Sequence, residues 1–175
     1  MTSTVRIRCI VVSGRGESSR NQLFTETVSR VCGVQMFPGS LNLLAKQPVR
    51  LGSNPPSLQE PTILKSILVP AQLMGEPVFI RRWRESPLHS FEIFSPSKLR
   101  RALHLGDGDH VVLEIPRSCV VDIPIRDRFF WALFWRFRER LLYSSDLYLR
   151  VVRKHLKGKR LGTQYYISES AEEEL

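Results

Sequence analysis

Three cysteines are all the sequence holds, at positions 9, 32 and 119, and none stands in a CxxC or Cys/His spacing. An odd, scattered set argues against a disulfide framework and against a cysteine zinc site. Core filling in a reducing compartment is the expectation. No apolar run reaches the ~18 residues that a spanning helix needs. The opening MTSTVRIRCIVVSG breaks after four apolar residues, so no signal peptide is expected and a cytoplasmic location is. A one-signed charge block is also missing. Of 26 Lys+Arg and 17 Asp+Glu, 11 and 7 fall in 125–175, leaving an excess of +4 there and +5 before it. A net charge of +9 without a dominating basic tail attracts polyanions but gives little support to a nucleic-acid partner.

What is present is an ordinary soluble composition, 42% hydrophobic and 25% charged, over 175 residues. That length carries one good core plus an appendage and is too short for two full-sized domains. Apolar alternation marks short strands at VRIRCIVV, in MFPGSLNLLA, over Ile63 to Val69, Glu76 to Trp83 and Ser90 to Phe94, and in HVVLEI. Met74-Gly75 and Asp107-Gly108-Asp109 read as tight turns between strands, and 52–61 reads as a loop. Helical spacing joins Phe24, Val28 and Val31, with Gly33 as C-cap. One to two further turns are expected over Ser97 to Leu105, with Ser95 or Ser97 as N-cap. Helices do not alternate regularly with strands, which favours a compact mainly-β barrel over a doubly wound sheet. The barrel domain is expected over 1–124.

Three stretches carry chemistry. In Ser13-Gly14-Arg15-Gly16-Glu17-Ser18-Ser19 a strand runs into Gly-x-Gly, a turn able to offer backbone N–H groups to phosphate, with Arg15 adding charge. The same residues also suit an ordinary hairpin turn, and they lack the third glycine or GK[ST] of the stricter nucleotide motifs. In Phe37 to Leu43, Ser40 and Asn42 stand two apart and share a strand face, while Leu41 and Leu43 face the core. A hydroxyl and an amide on one face suit a hard cation such as Mg²⁺, or simply water on an edge strand. In Phe91 to Ile115, Glu92 lies on a strand. Ser97, Lys98, Leu99 and Arg100 open a helix whose N-terminus and cations suit an anion, or are solvated surface.

Together and in this order the three stretches resemble the archaeal-type CTP-dependent riboflavin kinases. The matching residues are Ser13-Gly14-Arg15-Gly16-Glu17, Pro38-Gly39-Ser40-Leu41-Asn42-Leu43, and Lys98-Leu99-Arg100 with Leu105-Gly106-Asp107-Gly108-Asp109-His110-Val111. The resemblance spans about Arg6 to Ile115. It implies a six-stranded cradle-loop (RIFT-type) barrel that transfers the γ-phosphate of CTP to the 5′-hydroxyl of riboflavin, giving FMN and CDP with Mg²⁺. Small-molecule nucleotide and flavin would be its partners. It assigns Gly14 to Ser19 and Ser97 to Arg100 to the nucleotide, Ser40 and Asn42 to the metal, and Glu92 to the flavin. Asn42 and Glu92 are the candidate catalytic residues. Three positions depart from the family. Ser40 replaces Thr and keeps the hydroxyl. Ser18 replaces a loop glycine. Where the family has a small hydroxyl residue near the flavin, this chain offers Arg84 and Ser86. A non-catalytic nucleotide- or flavin-binding sensor, and a kinase for another hydroxyl compound, stand as alternatives.

The resemblance does not reach 125–175. Phe130, Phe134, Phe137 and Leu141 recur at helical spacing there, with arginines between them and an acidic tail beyond. Three roles fit a helical appendage of this kind: packing on the barrel or on a second copy, lying peripherally on an anionic membrane, or docking a protein.

Overall fold

The computed structural model describes residues 3–14, 22–52, 66–83 and 86–136. Among these residues there are eight strands, β1 (Thr4–Val12), β2 (Leu41–Ala45), β3 (Arg50–Leu51), β4 (Ser66–Leu73), β5 (Glu76–Trp83), β6 (Ser90–Phe94), β7 (His110–Pro116) and β8 (Val120–Val121). The described residues also form three α-helices: α1 (Gln22–Cys32), α2 (Leu99–Ala102) and α3 (Ile125–Phe134). Six strands close a barrel in the order β1-β2-β6-β5-β4-β7, every pair antiparallel, and β3 and β8 form a separate two-stranded ladder. This is the mainly-β, six-stranded cradle-loop barrel with a helix at its C-terminal side that the sequence implies.

Strand alternation builds the core. Ile7, Cys9 and Val11 of β1, Leu41 and Leu43 of β2, and Val78 and Ile80 of β5 fill the interior. Closure leaves no barrel edge unpaired, so each strand can be short. A second cluster of Val28, Met36, Leu68 and Phe94 lies where α1 covers the outside of the wall. That helix ends in a Schellman motif: Val34 N–H reaches Ser29 O, Gly33 N–H reaches Arg30 O, and Gly33 takes φ +68°.

Three local expectations shift. β4 runs on past Val69 through Pro70 to Leu73. Among the described residues only Gln72 and Leu73 of this strand also pair with β7, so Pro70 lies in the part laddered to β5 alone. A proline fits a strand where its absent N–H has no ladder bond to make. Helix α2 has four residues, with Lys98 rather than a serine as N-cap and no side-chain cap. The serines bond each other instead: Ser97 N–H donates to Ser95 Oγ at 3.2 Å. In α3 the deeply buried side chains are Trp131 and Trp135, while Phe130 is half-buried. The Phe134 side chain, Phe137 and Leu141 lie outside the described residues. Tryptophan wins this face because its ring buries more area and its N–H finds a partner. Trp131 Nε1 donates to His89 Nδ1 at 2.9 Å.

Candidate functional site

The strand registers set the site. Val12 lies opposite Asn42, Asn42 opposite Glu92, and Glu92 opposite Arg81, one transverse row across β1, β2, β6 and β5. Residues directly opposed in a sheet share a face. Their neighbours Val11, Leu43, Ile93 and Ile80 belong to the interior core, so this row stands on the outside of the wall.

Ser40, just before β2, donates its hydroxyl proton to Glu92 Oε1 at 2.7 Å. Arg81 Nη1 donates to Glu92 Oε2 at the same distance of 2.7 Å. The carboxylate is thereby fixed by one neutral and one charged donor while almost out of water. Ser40 donates its proton to Glu92, and the Ser40 hydroxyl oxygen and Asn42 amide oxygen are atom types that a hard cation takes as ligands. Gly14 closes over this row: a Cβ built there would overlap the Asn42 amide, whose nitrogen is the nearer atom. With glycine there the chain leaving β1 passes close to that side chain, and a larger residue would push the Asn42 amide aside.

A second set of bonds holds that passing chain. Ser13 Oγ donates to Asp107 Oδ2. Arg100 Nη2 donates to Asp107 Oδ1 at 2.6 Å and to Val12 O at 3.2 Å. Gly108 N–H reaches Val11 O and Val11 N–H reaches Asp109 O, 2.8 and 2.9 Å. The Ser13 hydroxyl, and after it the Arg100 guanidinium, hold the Asp107 carboxyl below its ordinary range. Phe37 N–H bonds Ser95 O at 2.8 Å and so brings the approach to β2 beside the approach to α2. The described parts of the three stretches singled out in the sequence, Ser13 and Gly14 in the first of them, therefore meet at one end of the barrel.

Of the residues assigned to the nucleotide, Gly14 borders the row, and Arg15, Gly16, Glu17, Ser18 and Ser19 lie outside the described residues. Ser97 is half-buried against Ser95 and Lys98 is exposed. Leu99 sends its side chain into the core, leaving only its backbone to offer a ligand. Arg100 is committed to Val12 and Asp107, which makes it a brace between the β1 end and the turn before β7. Ser40, Asn42 and Glu92 come together. Arg84 lies outside the described residues. The Ser86 side chain is fully buried, and its hydroxyl has no hydrogen bond among the described residues, so it faces no ligand from solvent.

Arg81 is the participant that sequence reasoning missed. Alternation through VFIRRW already sets Arg81 and Arg82 on opposite faces, but the partner Glu92 follows only from the β5–β6 register. Among the described residues no group of three His, Cys, Asp or Glu side chains suits a metal. The set here is instead hydroxyl, amide and carboxylate oxygen, which suits a hard cation that takes its other ligands from phosphate and water.

No family model matches the chain. A riboflavin kinase of the archaeon Saccharolobus solfataricus is 29% identical to it over 130 residues, covering 64% of this chain and 74% of that protein.

Proposed function

We propose, from a similarity that supports assigning this chain to the riboflavin kinase family, that it phosphorylates riboflavin to FMN, with CTP as donor and Mg²⁺ assisting. The observation that carries the reading is the convergence of Ser40, Asn42 and Glu92 on one outer face beside Gly14.

Phosphoryl transfer asks chiefly for alignment and for neutralisation of charge on the phosphates. Ser40 and Asn42 would hold Mg²⁺, which when bound neutralises charge on the terminal phosphates of the donor. Gly14 keeps the approach to Asn42 clear. Glu92, held in place by Ser40 and Arg81, would accept the hydrogen bond of the riboflavin 5′-hydroxyl. In the transfer the 5′-oxygen bonds to the γ-phosphorus, the bond from that phosphorus to the β-phosphate oxygen breaks, and CDP leaves. The hydroxyl proton passes to Glu92 and from there to solvent. Arg81 keeps the carboxylate turned toward the acceptor. Arg100 and Asp107 act at one remove, by holding the chain that leaves β1.

The test is to incubate the purified protein with riboflavin, Mg²⁺ and each nucleoside triphosphate in turn, and to separate FMN by chromatography. FMN formed with CTP and lost on chelating the metal is the expected result. Turnover of Asn42→Ala should fall about 100-fold, equivalent to about 2.7 kcal/mol of transition-state stabilisation. FMN formed with ATP alone would replace the donor, an undiminished Asn42→Ala would remove the metal site, and no FMN with any nucleotide would overturn the kinase.

A further inference from the structure

Helix α3 turns Trp131 and Trp135 to the barrel, where both rings lie 5.7–5.8 Å from the His89 ring. Its other side is built differently. Ile125, Phe129 and Leu133 recur every fourth residue and are 88%, 62% and 67% exposed. At 1.5 Å per residue they make a stripe about 12 Å long down one face. By helical geometry Arg126 and Arg128 fall on either flank of that stripe, and both are exposed. Arg126 also lies over the Phe130 ring, 5.7 Å from its centroid, its stem running along apolar surface. Asp127, the helix's one acid, is half-buried and points away from the stripe.

We propose that this outer face of α3 docks on an anionic bilayer surface, with Ile125, Phe129 and Leu133 at the level of the acyl-chain boundary and Arg126 and Arg128 reaching the headgroup phosphates. A helix that lies in the interface needs an apolar face of a few large side chains and cations along its borders, and this face supplies both. The protein's net charge of +9 adds long-range attraction to the same surface. A second copy is a poorer occupant. A twofold pairing through this stripe would set the arginine flanks of the two helices close together, with no acid on the outer face to separate them. No helix among the described residues is long and apolar enough to cross a membrane, so the contact is with the surface.

The experiment is co-sedimentation of the full chain with phosphatidylcholine vesicles and with vesicles that also contain phosphatidylglycerol. The expected result is pelleting with the anionic vesicles, at least about tenfold weaker with the neutral ones, and weakened by added salt. The double substitution Phe129→Ser/Leu133→Ser should reduce binding about tenfold while leaving the thermal transition in place, since both side chains point to solvent. Arg126→Gln/Arg128→Gln should weaken binding to anionic vesicles only. The proposal is overturned by any of three results: no pelleting with anionic vesicles, binding indifferent to the serine pair, or a dimer in gel filtration that the serine pair dissociates. FMN formation in the absence of vesicles should be the same for every variant, which separates this test from that of the kinase.

Discussion

Arg81 and Arg82 are neighbours in β5 and live in different proteins, so to speak: one on the outer wall, the other inside the barrel. Arg81 is half-buried and bonds the carboxylate of Glu92 at 2.7 Å. Arg82 is fully buried. Its Nη1 donates to the carbonyls of Val49 and Leu88 at 2.7 and 3.1 Å, and its Cζ lies 4.4 Å from the centroid of the Phe91 ring. The strand's period of two is the whole cause of the separation. The lesson is that the polar groups of the outer wall bond one another at the candidate site, while those of the interior close the fold. Substitutions should therefore split cleanly between turnover and stability.

Arg82→Ala carries the largest expected effect. It strips two buried carbonyls of their donor and leaves a void among Leu88, Phe91 and Val49, against some relief from burying a charge. A loss of about 3–5 kcal/mol follows, read as the shift of the urea midpoint. Arg82→Met refills the void without restoring the donor and should lose about half as much. A loss under about 1 kcal/mol for Arg82→Ala would erase the contrast. Arg81→Met tests the other side. Turnover should fall about tenfold, with a stability loss of about 1–2 kcal/mol because the nearly buried Glu92 carboxylate loses its charged donor while keeping Ser40, and Arg81→Lys should recover part of the turnover as a positioning cation would. A loss from Arg81→Met as large as that from Arg82→Ala would mean that Arg81 serves the fold.

The interior also has a pH signature. Burial, and then the Arg82 charge, push the His89 pKa down to about 3 from its ordinary 6.5. The folded state thus holds His89 neutral, as an acceptor for Trp131, while the unfolded chain charges it below about 6.5. Stability is complete above that value and falls as pH drops from about 6.5 toward 3, by about 1 kcal/mol per pH unit. Urea midpoints between pH 8 and 5 measure this above the range where carboxylates titrate. His89→Gln keeps an acceptor for the indole and should remove the slope; an unchanged slope would place the proton elsewhere.

How much of this was legible beforehand follows from what each feature depends on. The Ser90–Phe94 and Glu76–Trp83 strands, the two glycine turns and the C-cap at Gly33 are set by residues within a few positions of one another, and the sequence reading located them. The face shared by Ser40 and Asn42 follows from parity alone. Glu92 accepting from both Ser40 and Arg81 depends on two registers between strands, which local pattern does not carry. The brace from Arg100 to Val12 crosses 88 positions, and a solvated cation was the natural expectation. The inward face of α3 lies beyond local pattern for a related reason. Phe130 and Trp131 are adjacent, periodicity serves both, and the tie is broken by His89, 42 positions away.

The smallest expected effect lies on neither wall. β4 and β5 are joined through Met74 and Gly75, with Leu73 facing Glu76, and both turn residues take positive φ, 51° and 89°. That is the two-residue turn whose twist matches the strands, and asparagine is the residue it favours at the first position. Methionine there accepts the left-handed conformation at a cost of about 1 kcal/mol. Its side chain is more than half exposed and its N–H bonds Val112 O at 3.2 Å, a contact that any non-proline residue retains. Met74→Asn should therefore raise stability by about 0.5–1 kcal/mol in urea unfolding. Because the tip of the hairpin touches neither the Glu92 row nor the Arg82 carbonyls, FMN turnover should stay at the wild-type value. A gain in stability accompanied by lost turnover would show that the β4–β5 hairpin couples the two walls, and the division between Arg81 and Arg82 would have to be redrawn as one continuous element.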